Sequence, residues 1–109
     1  MQETDTKLDA LHHVAIQVKD IGRALQWYSE NVNAETVYQD DTWAMLRFQN
    51  IYLALVVPDQ HPPHIAIEHE GAERHGTLKK HRDGTESIYI EDSEGNMLEL
   101  MKPVNNRVC

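Results

Sequence analysis

Residues 11–19, LHHVAIQVK, alternate Val14, Ile16 and Val18 with His13, Ala15 and Gln17. A period of two predicts a half-buried strand. Asp20 follows as a helix N-cap, since its carboxylate can accept from the first free backbone N–H groups. Ile21, Ala24, Leu25, Tyr28 and Val32 then recur at three- and four-residue spacing. That spacing predicts an amphipathic helix of about three turns. Asn31 and Asn33 are expected to close it by taking the left-handed conformation common at helix ends. Three strands are expected next. Residues 35–39 make a short one. Residues 42–49 alternate Ala44, Leu46 and Phe48 against Trp43, Met45 and Arg47, and residues 51–57 are nearly all apolar. PDQHPP, residues 58–63, reads as a stiff connector without helix or strand.

The pattern then restarts. HIAIE at residues 64–68 matches HVAIQ at residues 13–17 in the placing of His, Ala and Ile. LELMKP at residues 98–103 answers LALVVP at residues 53–58. Each half opens on a His-led strand and ends on a strand stopped by Pro, which defines an internal repeat. The second half is six positions shorter between its His and its Pro. The loss falls early, where only residues 70–75 remain for a helix of under two turns. Residues 77–81 give a short strand. Residues 87–91 and 96–101 read as a hairpin around Ser93, Glu94 and Gly95.

Composition narrows the partners. The chain has 109 residues, and its size predicts a single domain, residues 1–109. Lys and Arg total 10 against 18 Asp and Glu, for a net charge of −8. A nucleic acid or an anionic membrane is not expected as a partner, because phosphate binding needs a basic face. Residues 1–10 read as a loose, polar, acidic tail rather than a signal peptide. The single cysteine, Cys109, permits no internal disulfide, so a reducing, cytoplasmic location is expected. Seven histidines stand out in so short a chain.

A strand, a helix and three strands, used twice with a leading His, resembles the vicinal oxygen chelate superfamily. This group includes glyoxalase I, extradiol dioxygenases, fosfomycin-resistance transferases and bleomycin-binding proteins. HVAIQVKDIGRALQWY resembles its first strand and helix, and EDSEGNMLEL its closing hairpin. Ser93 stands where the family usually has Pro, and Asn33 where a Gly is common. The resemblance implies an α+β fold of paired βαβββ modules forming a half-open β-cup, with the second helix truncated. Module one would span about residues 11–58 and module two about residues 64–103.

In that fold the helix packs on one sheet face and the other face lines the cup. Strand parity then turns His13, Ala15 and Gln17 into the cup, and by the repeat His64, Ala66 and Glu68. Leu98 and Leu100 suit the helix side, which leaves Met97, Glu99 and Met101 in the cup. His13, His64 and Glu99 are therefore the expected metal ligands. Aligning the two terminal prolines sets Ala54 opposite Glu99, so the fourth ligand of glyoxalase-type members is missing. Two His and one carboxylate with open positions suit a divalent ion such as Mn, Fe(II), Ni or Zn.

Tyr89 and Arg47 are expected to act on substrate. Tyr89 could hydrogen-bond a bound oxygen or donate a proton. Arg47 could hold a carboxylate or phosphonate. Lys79 lies in the segment that fosfomycin-type enzymes use for anion contacts. Ala15, standing where those enzymes carry a hydroxyl, counts against fosfomycin as substrate. His12 is taken as structural, and His61, His69, His75 and His81 as surface residues.

The expected function is a divalent-metal-dependent enzyme acting on a small oxygen-chelating substrate. Lyase, transferase and dioxygenase chemistry all remain open, although loss of the fourth ligand argues against glyoxalase I and methylmalonyl-CoA epimerase. The alternatives are a metal-free small-molecule binding protein of the bleomycin-resistance kind and an interaction protein. The resemblance implies a homodimer that builds each cup from both chains, with His13 of one meeting His64 and Glu99 of the other. Ile65, Ile67, Leu98 and Leu100, poorly covered by so short a second helix, give a second reason for a dimer. A partner chain, or the 1–10 tail, would cover them.

Overall fold

The computed structural model describes residues 8–81 and 83–104. Most of the expected N-terminal tail, and Cys109, lie outside the described residues. The chain divides into two compact units: residues 13–64, and residues 65–104 together with 8–12. The first unit takes in most of β1 (Ala10–Gln17), then α1 (Ile21–Asn31), β2 (Glu35–Gln39), β3 (Trp43–Arg47) and β4 (Tyr52–Val56). The second takes in most of β5 (His64–Glu68), a 3₁₀ turn (Ala72–His75), β6 (Lys79–Lys80), β7 (Glu86–Glu91) and β8 (Met97–Met101).

In the first unit the strand order is β2-β3-β4-β1. β1 runs parallel to β4, and β4 pairs antiparallel with β3, as β3 does with β2. In the second unit the order is β5-β8-β7-β6, again with one parallel pair followed by antiparallel ones. The repeat seen in the sequence is thus a repeat of topology, βαβββ in each half, with a single 3₁₀ turn in place of the second helix.

Helix α1 begins as its sequence requires. The Asp20 carboxylate accepts from the Arg23 backbone N–H at 2.9 Å, and the Asp20 carbonyl accepts from Ala24 N–H at 3.0 Å. Its end differs from expectation. No non-glycine residue among those described has a positive φ, so neither Asn takes the left-handed form. Val32 instead turns extended, its N–H bonding to the Tyr28 carbonyl. The Asn31 side-chain amide donates to the Trp27 carbonyl at 2.8 Å. Those two bonds occupy carbonyls that the helix end would leave free, so the left-handed turn is not needed.

The core of the first unit lies between α1 and its sheet. Ile21, Leu25, Ala44, Leu46 and Leu55 are buried there, with Ile16, Val18, Tyr28 and Phe48 packed around them. The opposite face carries a smaller cluster of Ala15, Met45 and Ala54, bordered by Trp43 and Tyr52. The expected alternation of β3 is therefore correct, although the strand is shorter than residues 42–49. Asp40 sets its start, since one carboxylate oxygen accepts from the backbone N–H groups of Thr42 and Trp43 at 2.8 and 2.9 Å.

In the second unit only Ala72 of the 3₁₀ turn is buried. Ile65 stays 40% exposed, which is the thin cover expected from the shortened helix. Of the 1–10 tail, residues 1–7 lie outside those described, and Leu8 is 70% exposed.

Candidate functional site

The strand registers, read separately in each unit, fix which positions correspond. In the first unit Ala15 pairs with Ala54, and Met45 pairs with the same Ala54. In the second, Ala66 pairs with Glu99, and Tyr89 pairs with the same Glu99. Ala54 and Glu99 are therefore equivalent, as the aligned prolines imply. By the same step Met45 corresponds to Tyr89. Trp43, opposite Val56, corresponds to Ser87, opposite Met101.

His13 and His64 meet within the first unit of a single chain, which corrects the expectation that His13 would meet the His64 of a partner chain. Both are buried, and their rings stand edge to face with centroids 5.5 Å apart. The His64 Nδ1 lies 2.9 Å from the Pro62 carbonyl oxygen. A carbonyl can only accept, so Nδ1 carries the hydrogen and, in the neutral ring, Nε2 keeps a lone pair. A ligating histidine commonly has its other nitrogen fixed in this way. Pro62 and Pro63 stiffen the segment that delivers this carbonyl. The Gln17 side chain ties the same connector down by donating to the His61 carbonyl at 3.0 Å. The His61 ring lies 6.2 Å from that of His64, so it borders the pair.

Glu99 lies in the second unit, on β8, and is 5% exposed. Burying a carboxylate is costly unless hydrogen bonds replace its water. Here Ser87 Oγ donates to Glu99 Oε2 at 2.7 Å, and the Tyr89 side chain also hydrogen-bonds Glu99. Burial, joined by the charge of Glu99, holds the Tyr89 hydroxyl well above the usual phenol range. Tyr89 therefore keeps its proton at any physiological pH.

His81 is a correction to the sequence reading, which set it on the surface. Its Nε2 lies 2.6 Å from Ser87 Oγ and 3.5 Å from Glu99 Oε2. The signal is present in the sequence but indirect. A turn at Gly84 returns the chain, and β7 then alternates Ser87 and Tyr89 toward Glu99. Tyr89 lies in the strand beside Glu99, directly opposite it, as the sequence implies; what the sequence did not show is that His81 meets Ser87.

Arg47 lies at the end of β3, where it pairs with Glu35 directly across the β2–β3 ladder. Its Nε donates to Glu35 Oε1 at 3.0 Å. Lys79 is exposed on β6, opposite Ser87. His69 bonds Asp9 at 2.9 Å and, with His75 nearby, stays on the polar rim of the second unit. His12 is buried, in keeping with a structural role.

The family model for the Glyoxalase/Bleomycin resistance protein/Dioxygenase superfamily matches residues 10–75. The chain belongs to this superfamily. Solved structures agree on the fold. Methylmalonyl-CoA epimerase from Mycobacterium tuberculosis superposes with a TM-score of 0.68 at 19% identity, covering 88% of this chain and 89% of the epimerase. A hypothetical protein from Bacillus halodurans C-125 gives 0.70 at 14% identity, covering 94% of this chain and 100% of its own. NAD-dependent benzaldehyde dehydrogenase from Legionella pneumophila gives 0.60 at 12% identity, covering 87% and 98%. At these identities the likeness is one of fold. No curated protein matches the sequence. Among the described residues no helix is long and apolar enough to cross a membrane.

Proposed function

We propose that this glyoxalase-superfamily protein is a divalent-metal-dependent enzyme whose small substrate binds through its oxygens, with His13, His64 and Glu99 as the metal ligands. The observation that carries the reading is the His64 Nδ1 bond to the Pro62 carbonyl beside the buried ring of His13. It leaves His64 Nε2 with its lone pair in a place closed to bulk water. The donor set fits such an ion, because neutral imidazole and carboxylate together suit Mn, Fe(II), Ni or Zn. When bound, the metal would act as a Lewis acid and template for substrate oxygens.

The chain's own residues have distinct parts in this reading. His13 and His64 present nitrogens and exclude water. Glu99 supplies the charge, held by hydroxyl donors. Tyr89 retains its proton, which it gives to Glu99, and it would donate to a substrate oxygen only by leaving that bond. Arg47 likewise would clamp an anionic group only after its pair with Glu35 opens. The homodimer belongs to the same proposal and is supported by the exposed Ile65 on the thinly covered second unit. A sedimenting monomer at micromolar concentration would remove it.

The test is metal content. Wild-type, His64→Ala and Glu99→Gln proteins are purified after growth with Mn, Fe, Ni and Zn and compared by elemental analysis. The reading expects near-stoichiometric metal in wild type and a large loss in both variants. Wild-type protein that stays empty and takes up none of these ions would replace the enzyme with a metal-free binding protein.

A further inference from the structure

We propose that His81 and Ser87 are positioning residues for Glu99: a hydrogen-bonded chain running inward from His81 through Ser87 fixes the carboxylate's orientation, and thereby its affinity for a divalent cation. This rests on the metal reading above and adds to it two residues that touch neither metal nor substrate.

The direction of each bond follows from the hydrogens available. A serine hydroxyl has one hydrogen. Ser87 gives it to Glu99 Oε2 at 2.7 Å. Its oxygen therefore meets His81 as an acceptor, and the contact of 2.6 Å requires His81 Nε2 to carry a hydrogen. His81 thus holds Ser87, and Ser87 holds Glu99. Ser87 is 1% exposed, so its hydroxyl is closed to bulk water. Tyr89 supplies a second donor from the directly opposite position on β7.

The segment that presents His81 is itself fixed. The β6–β7 ladder continues through His81 N–H to the Thr85 carbonyl at 2.8 Å, and Gly84 N–H returns to the His81 carbonyl at 2.9 Å. Asp83 pins the same turn by accepting from Thr85 N–H at 3.0 Å and from its hydroxyl at 2.8 Å.

The repeat supplies an internal control. In the first unit, where Ala54 replaces the carboxylate, the place of Ser87 is taken by Trp43 and that of Tyr89 by Met45. Hydroxyl donors occur in the copy that has a carboxylate to hold and are lacking at those places in the copy that does not. A role in packing alone would not tie them to Glu99.

The experiment measures Mn²⁺ binding to the full chain by calorimetry, for wild type, Ser87→Ala, Ser87→Thr, His81→Ala, His81→Gln and the double alanine variant. Removing a residue that orients a ligand typically weakens metal binding about 10–100-fold. Ser87→Ala should show that loss and His81→Ala a smaller one. The double variant should be no weaker than Ser87→Ala, because His81 acts through Ser87. Ser87→Thr and His81→Gln keep a hydroxyl and an N–H and should restore affinity.

Wild-type uptake of Mn²⁺ that Ser87→Ala leaves within about two-fold overturns this inference alone. So does a double variant in which the two losses multiply. Wild type that binds no Mn²⁺ overturns the metal reading and this inference with it. A readout without metal is the long-range ¹H–¹⁵N spectrum of the metal-free protein. A hydrogen on His81 Nε2 supports the chain, and a bare Nε2 overturns it even where Ser87→Ala fails to fold.

Discussion

Replacing Ala54 by Glu would place a carboxylate at the position equivalent to Glu99, in the unit that has no hydroxyl at the places of Ser87 and Tyr89. Ala54 is 3% exposed, beside Ala15 at 1% and Met45 at 8%. Trp43 and Met45 stand where Glu99 has Ser87 and Tyr89. An ionised carboxylate there has lost water and gained no hydroxyl donor at those two places, so its pKa must rise. Holding a carboxyl neutral at pH 7 against an ordinary value near 4.3 costs about 4 kcal/mol, at about 1.4 kcal/mol per unit. At pH 5 the same calculation gives about 1 kcal/mol. The extra volume adds about 1–3 kcal/mol at either pH. Ala54→Gln carries nearly the same volume without the charge, so it isolates the titrating part.

The sign follows from the raised pKa. A group bound more tightly to its proton in the folded state gives stability that is intact at low pH and lost as pH rises through the folded value. The gap between Ala54→Glu and Ala54→Gln should therefore widen from about 1 kcal/mol at pH 5 to about 4 kcal/mol at pH 7. Urea unfolding with chelator present, at both pH values, measures it. A gap below about 1 kcal/mol at pH 7, or one that does not change with pH, would show that this face can solvate a charge. The contrast drawn between the two units would then be wrong.

Other residues give sharper and smaller tests. Gly76 has φ of +143°, and a Cβ there would lie 2.7 Å from Ile88 Cδ1, so Gly76→Ala should cost about 1–3 kcal/mol of thermal stability; an unchanged melting temperature refutes this. Asp20→Ala should cost about 1 kcal/mol by removing the α1 cap, and Asp20→Asn should recover most of it in the same unfolding assay. In an ultraviolet titration one tyrosine should ionise well above pH 10 in the native protein and vanish in Tyr89→Phe, because burial and then the Glu99 charge oppose its ionisation. The stability tied to that shift is intact below about pH 10 and lost as pH climbs through the folded value.

Much of the fold was readable because the strands alternate cleanly and the halves repeat. Val14, Ile16 and Val18 against His13, Ala15 and Gln17 fix a face, and Ala44 and Leu46 against Met45 do the same in β3. The prolines at 58 and 103 set the phase between the halves, and the registers bear out Ala54 against Glu99. The helix end was not readable, since the Asn31 amide meets the Trp27 carbonyl only once the last turn has formed. His81 was missed for a similar reason. It lies in a polar stretch, HRDGTES, whose composition says surface. Its contact with Ser87 is set by the turn that returns the chain along β7. Arg47 shows the converse, because parity selects its face but not its partner, and Glu35 across the ladder takes the guanidinium.

The two copies have divided what a single module would have to do at once. The first keeps the helix, and with it the core of Ile21, Leu25, Leu46 and Leu55. At three places on its other face it is apolar where the second copy is polar: Ala54 for Glu99, Met45 for Tyr89, Trp43 for Ser87. The second copy has given up most of its helix, so Ile65 is left exposed, yet it carries a buried carboxylate at Glu99. Retaining that carboxylate is a net cost unless its hydrogen bonds are met. The hydroxyls of Ser87 and Tyr89, with His81 behind them, meet that condition by occupying positions a packed core would fill with aliphatic side chains. A module that binds an ion has reason to keep such a group. A module that only packs would be more stable with an apolar residue at 99, as its sister copy has at 54.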